Sequence, residues 1–127
     1  MKALIVDDSA VMRKVVERAI RHAGFGVEEV AEAANGQEAL DLLRADGESF
    51  GLILSDIHMP VMDGLAFVEA VKREKLATHA PVVMITTEEG VAQVLRAITA
   101  GAKGYICKPF TADQVKSRIQ PLLRKAA

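Results

Sequence analysis

Five residues of this 127-residue chain are of types that could together handle a phosphoryl group. They are the carboxylates of Asp7, Asp8 and Asp56, the hydroxyl of Thr86 and the ammonium of Lys108. Clustered carboxylates raise one another's pKa, so they do not all ionise cheaply. A hard divalent cation relieves that repulsion. Mg2+ prefers oxygen ligands, keeps several waters and is typically held by one or two carboxylates and a phosphate. A lysine ammonium is a point charge suited to a phosphoryl oxygen. A carboxylate can also attack phosphorus and form an aspartyl-phosphate. Such transfer rests on positioning and charge neutralisation. The set therefore reads as acid pair, nucleophile, hydroxyl and lysine around a metal-assisted phosphoryl-transfer site. Taken singly, each residue has a plainer reading. Asp7-Asp8 fits a turn and cap, Asp56 a turn former, Thr86 a β-former and Lys108 a solvated loop residue. Only the elements that carry them decide between the two.

Short apolar runs lie at Ala3–Val6, Val27–Ala33, Leu52–Ser55, Val82–Thr86 and Gly104–Cys107. Several are β-branched, and all are too short for stable helices, so they read as strands. Between them lie stretches with apolar residues at helical intervals. The first runs from Ser9 to Ala23, with Ser9 as N-cap and Gly24 as stop. The others run from Asn35 to about Ala45, Asp63 to about Lys75, Glu88 to Ala100, and onward from Thr111. Asn35 with Glu38 forms a capping-box-like start. Pro121 predicts a kink or an early end of the last helix near Gln120. Strand–helix alternation implies a parallel sheet with helices on both faces. Ligands of such sheets bind beyond the carboxyl ends of the strands. The five residues above fall at four different strand ends on that one predicted edge, which makes coincidence a poor explanation.

Composition narrows the field. The length suits one domain, 1–127. With 50% hydrophobic residues a core is available, and with 4% aromatics and no tryptophan it must be aliphatic. A net charge of −1 argues against a protein built to grip nucleic acid. The lone Cys107 excludes an internal disulfide and fits a reducing cytosol. No secretion signal is visible, and no apolar run reaches the ~18 residues of a membrane span. The expectation is a small cytoplasmic domain with no membrane contact and no direct nucleic-acid binding.

Four segments then resemble a known family. Val-Asp-Asp-Ser at 6–9, Asp-Ile-His-Met-Pro-Val-Met-Asp-Gly at 56–64, Ile-Thr-Thr at 85–87 and Tyr-Ile-Cys-Lys-Pro-Phe at 105–110 are similar to the receiver domain of two-component response regulators, of the single-domain chemotaxis type. The resemblance implies a doubly wound, flavodoxin-like α/β fold with strand order 2-1-3-4-5 and five helices. It implies that Asp56 accepts a phosphoryl group from a histidine kinase, a phosphotransfer protein or a small phosphodonor. Asp8 and Asp56 would hold Mg2+, Asp7 would act through water, and the His58 backbone carbonyl would complete the protein ligands. Lys108 would contact phosphoryl oxygens, next to a cis bond to Pro109. Thr86 would swing toward the phosphate and Tyr105 would follow it inward, a two-state switch. The surface of helix 4, strand 5 and helix 5 would pass the state to a downstream protein. The chain would catalyse nothing beyond its own phosphorylation and dephosphorylation.

Other readings use the same residues. A phosphorelay shuttle or a phosphate sink needs identical chemistry. A metal-dependent phosphatase with an aspartate nucleophile wants a second aspartate two residues on, where this chain has His58. A flavin protein wants hydroxyls and glycines after the first strand, where this chain has acids. The His58 side chain is expected in solvent, His22 and His79 on the surface, Cys107 as a buried small hydrophobe, and Met59 and Met62 as loop anchors. Arg13, Lys14, Arg18 and Arg21 are expected as a solvated face of the first helix or a docking surface for a kinase.

Overall fold

The computed structural model describes residues 1–87 and 90–126, and in it each short apolar run is a strand. Strands β1 (Lys2–Val6), β2 (Glu29–Ala33), β3 (Phe50–Ser55), β4 (Val82–Thr86) and β5 (Gly104–Cys107) alternate with helices α1 (Ala10–His22), α2 (Gly36–Asp46), α3 (Gly64–Arg73), α4 (Val91–Ala100) and α5 (Ala112–Ala126). A 3-10 turn at Gly47–Ser49, absent from the sequence reading, leads into β3. All strand pairs are parallel and the order is β2-β1-β3-β4-β5, as expected.

Local chemistry starts the helices where expected. The Ser9 hydroxyl accepts from the Met12 N–H at 3.1 Å, the Asn35 side chain from the Glu38 N–H at 2.9 Å, and the Asp63 side chain from the Ala66 N–H at 2.8 Å. Each bond satisfies a donor that the first turn of a helix leaves without a partner. The expected start of the fourth helix at Glu88 lies outside the described residues.

The period-2 pleat of the strands sorts the core into two layers. Leu4, Val6, Ile53 and Met84 point to the layer covered by α2, α3 and α4, with Leu40, Leu43, Phe67, Val68 and Ala97. Ala3, Ile5, Leu52, Leu54, Val83 and Ile85 point to the layer covered by α1 and α5, with Val16, Ile20, Val115 and Ile119. The central strands are apolar on both faces, while edge strand β2 exposes Glu29 and Glu32, which blunts an edge open to pairing.

Pro121 corrects the sequence reading: α5 does not end near Gln120 but runs to Ala126 with the proline inside it. The proline lies on the exposed side. Ile119, Leu122 and Leu123 pack against the α1–α5 layer on the other side. Their burial, worth about 1.5–3 kcal/mol for each fully buried side chain, offsets the backbone hydrogen bond that proline cannot make.

Candidate functional site

The register of the central strands builds the site. Val6 of β1 pairs with Ser55 of β3, so Asp7 and Asp56 leave the sheet side by side. The Asp56 N–H donates to the Val6 carbonyl at 2.9 Å, and the Asp7 N–H to the Ala33 carbonyl at 3.1 Å. Asp7 is buried, Asp56 half-buried and Asp8 exposed. Carboxylate oxygens of all three lie within 4.8 Å of one another.

Lys108 reaches this rim from the loop after β5. Its backbone N–H donates to the Thr86 carbonyl at 2.8 Å, which ties that loop to the end of β4. The Lys108–Pro109 bond is cis, as the resemblance implied. The ammonium donates to Asp7 Oδ2 at 3.1 Å and to Asp56 Oδ2 at 3.2 Å. Burial works to lower the lysine pKa; the Asp7 hydrogen bond and the Asp56 and Asp7 charges outweigh it, so the net shift is upward. The other carboxylate oxygens are held by the main chain. Asp7 Oδ1 accepts from the Ser9 N–H at 2.9 Å, and Asp56 Oδ1 from the Ile57 N–H at 2.7 Å.

Three carboxylates against one ammonium leave a surplus of negative charge on hard oxygen donors. That donor set fits a magnesium-like cation. Asp8 suits such an ion most simply, because among the described residues its carboxylate has no hydrogen-bond partner.

Main-chain contact shapes the pocket floor. The Gly64 N–H donates to the Ile57 carbonyl at 2.7 Å, and a Cβ at Gly64 would collide with the Asp56 carbonyl oxygen. Only glycine admits that approach. Thr86 is fully buried at the end of β4, and its register partner on β5 is Cys107. Tyr105 is half-buried against the α2–α3–α4 layer. The His58 side chain is exposed, as are His22 and His79, while Met59 and Met62 anchor their loop on the core. Cys107 is only half-buried, less than expected, because short β5 lies at the edge of the sheet.

The sequence reading missed Arg13, which it grouped with a solvated face. Its side chain is 17% exposed, and Nη1 donates to the Asp7 carbonyl at 2.6 Å. Nε donates to Glu32 Oε1 at 2.9 Å, and Lys14 takes Glu32 Oε2 at 3.0 Å. Hydrogen bonds from Lys14 and then Arg13 hold the Glu32 carboxyl below its ordinary range. The available signal was a cation one turn into the helix that follows the acid pair, with an acid near the end of the neighbouring strand. Nothing in the residue types says that they meet.

The chain matches the response regulator receiver domain family over residues 3–120. It is 40% identical to a chemotaxis protein CheY homolog of Campylobacter jejuni over 123 residues, covering 97% of this chain and 92% of that protein. It is 38% identical to chemotaxis protein CheY1 of Helicobacter pylori, covering 97% of each. Among solved structures, Vibrio cholerae CheY4 superposes with a TM-score of 0.79 at 34% identity, over 99% of this chain and 98% of that one. CheY of Borrelia burgdorferi, solved in a complex with CheX, BeF3 and Mg2+, superposes with a TM-score of 0.83 at 28% identity, over 96% and 88%. No described helix is long and apolar enough to cross a membrane. With its fold, its acid rim and these matches in agreement, the chain belongs to the response regulator receiver domain family and is of the CheY type.

Proposed function

We propose that this chain is a phosphorylation-driven signalling switch in which Asp56 is the acceptor. Phosphorylation on aspartate is general in the family. The observation that carries the reading is the Lys108 ammonium set between Asp7 and Asp56, at 3.1 and 3.2 Å, beside the Asp8 carboxylate. A carboxylate oxygen of Asp56 attacks the phosphorus of the donor. The new O–P bond forms as the P–N bond of a donor phosphohistidine, or the P–O bond of a small acyl phosphate, breaks. The donor fragment leaves with that bond's electron pair. Water attack on the same phosphorus reverses the state.

Asp7, Asp8, Asp56 and the His58 carbonyl would hold Mg2+, which when bound supplies positive charge to the phosphoryl oxygens. The Ile57 N–H fixes the plane of the Asp56 carboxylate before attack. Lys108 turns from the carboxylates to a phosphoryl oxygen as charge moves there. Thr86 donates its hydroxyl to the phosphoryl group, and Tyr105 moves inward behind it. The α4–β5–α5 surface carries the change to a partner protein in a chemotaxis-type or similar pathway. The donor is a histidine kinase or a phosphotransfer protein, and the chain turns over no other substrate. The reading takes 1–127 as one receiver unit, acting in the cytoplasm without touching nucleic acid or membrane.

Intact-mass measurement after incubation with acetyl phosphate and Mg2+ tests this. One phosphoryl adduct is expected on the wild type and none on Asp56→Asn. A wild type without an adduct, or an Asp56→Asn protein that still gains one, overturns the assignment.

A further inference from the structure

We propose that Arg13 is a positioning residue for the acid pocket, clamping the Asp7–Asp8 peptide to β2 so that the Asp8 carboxylate faces the cation site. The inference rests on the functional reading above and concerns how that site is held. The Asp7 peptide is anchored from both of its ends to the same strand. Its N–H donates to the Ala33 carbonyl at 3.1 Å. Its carbonyl accepts from Arg13 Nη1 at 2.6 Å, and Arg13 is itself held by Glu32 at 2.9 Å. That carbonyl belongs to the peptide plane joining Asp7 to Asp8, so its direction sets where Asp8 leaves the chain. The Ser9 N–H, which donates to Asp7 Oδ1 at 2.9 Å, closes the turn around Asp8 from the other side. The Asp8 carboxylate has no hydrogen-bond partner among the described residues, whereas Asp7 and Asp56 are each held by a backbone N–H and by Lys108.

The residue type matters. A guanidinium offers donors in a planar fork, so one side chain reaches a carbonyl and a carboxylate together. A lysine at the same place would offer a mobile point charge. Lys14 occupies the second Glu32 oxygen at 3.0 Å, which leaves Glu32 fully engaged and Arg13 with few alternative rotamers.

The test is Mg2+ titration of the full chain, followed by the amide NMR shifts of Asp8 and Asp56, for the wild type, Arg13→Ala, Arg13→Lys, Glu32→Ala and Arg13→Ala/Glu32→Ala. Metal-free melting curves are recorded beside each titration. By analogy with residues that orient metal ligands, Arg13→Ala is expected to weaken Mg2+ binding about tenfold. Arg13→Lys should fall between it and the wild type. Glu32→Ala should lose less, and the double variant should bind no more weakly than Arg13→Ala, because both changes break one chain of contacts. A merely structural arginine would lower the melting temperature and leave the affinity alone, and that result overturns the inference. Additive losses in the double variant overturn the Glu32 part of it. Should Arg13→Ala fail to fold, Arg13→Lys and Glu32→Ala decide by the same criterion. A wild type whose shifts ignore Mg2+ overturns the functional reading itself, and this inference with it; a wild type that binds as well as its folded variants do overturns this inference alone.

Discussion

Two charged regions meet at the end of β1 and are built on opposite balances. In the acid pocket three carboxylates stand against one ammonium, Lys108, which bonds Asp7 and Asp56 and whose side chain is 13% exposed. Around Glu32, on the edge strand, one carboxylate serves two cations, Arg13 and Lys14, and the Lys14 side chain is 67% exposed. The second region can settle into its contacts because water screens whatever charge is left over. The first cannot. Its two carboxylates withdrawn from solvent, Asp7 and Asp56, share Lys108, and the third, the exposed Asp8, has no counter-charge among the described residues, so the set stays poised to take up positive charge. A surplus of cations on the surface is left to solvent, whereas a surplus of carboxylates at the rim of a parallel sheet offers hard oxygen donors that could hold a cation. Arg13 belongs to both, which is how the surface region comes to bear on the pocket.

That contrast can be broken by substitution. Gly64→Ala should do most damage, because the pocket floor depends on a main-chain approach that the Glu32 region does not need. A cost of about 2–3 kcal/mol in denaturant unfolding is expected, typical of overpacking against rigid backbone. A neutral result would show that the loop after β3 gives way. Lys108→Met removes the sole counter-charge among the described residues of the pocket. Breaking a buried pair costs roughly 3–5 kcal/mol, and partial solvent access reduces that here to about 2. Mg2+ should then raise the melting temperature of Lys108→Met more than that of the wild type, since binding to the folded state alone stabilises it. Equal rises would mean that Lys108 is not the main neutralising group.

Asp56→Asn tests the surplus from the other side. It removes one of three mutually repelling charges and leaves the Lys108–Asp7 pair in place. The metal-free variant should be more stable than the wild type by about 1 kcal/mol, a rise of a few degrees in melting temperature for a domain of this size. A fall would mean that the lysine contact outweighs the repulsion.

The smallest effect belongs to the exposed region. The Glu32 carboxyl is held below its ordinary 4.5, chiefly by the Lys14 and Arg13 hydrogen bonds. A lowered folded-state value stabilises the protein above the ordinary value and ceases to do so as pH falls through the lowered one. Glu32→Gln should therefore lower stability slightly at neutral pH, and the two proteins should converge as pH falls below about 4.5, where the wild type has lost what the carboxylate contributed. Acid melting curves that coincide at pH 7 and part below pH 4.5 would contradict this.

Much of the architecture was legible because it rests on local rules. Ser9, Asn35 and Asp63 cap helices by short-range bonds, and apolar runs of strand length end where the acids begin. The expected early end of α5 at Pro121 fails because the backbone cost is local while the compensation, Ile119 and Leu122 against the sheet, is not. Arg13 was misjudged for the same reason. On a helix it looks like one of four cations, and only the packing of α1 beside β2 makes it a clamp on Asp7.

By itself the sequence determined the kinds of element, their order and the aliphatic core, and it singled out Asp7, Asp8, Asp56, Thr86 and Lys108 as a candidate set. These follow from side-chain chemistry and from spacing along the chain. The tertiary structure alone decided which helices share a face of the sheet, that Gly64 must lack a side chain against Asp56, and that Glu32 reaches the acid pair through Arg13. Those are contacts between atoms far apart in the chain, and their geometry exists only once strand register and helix packing have brought them within bonding distance.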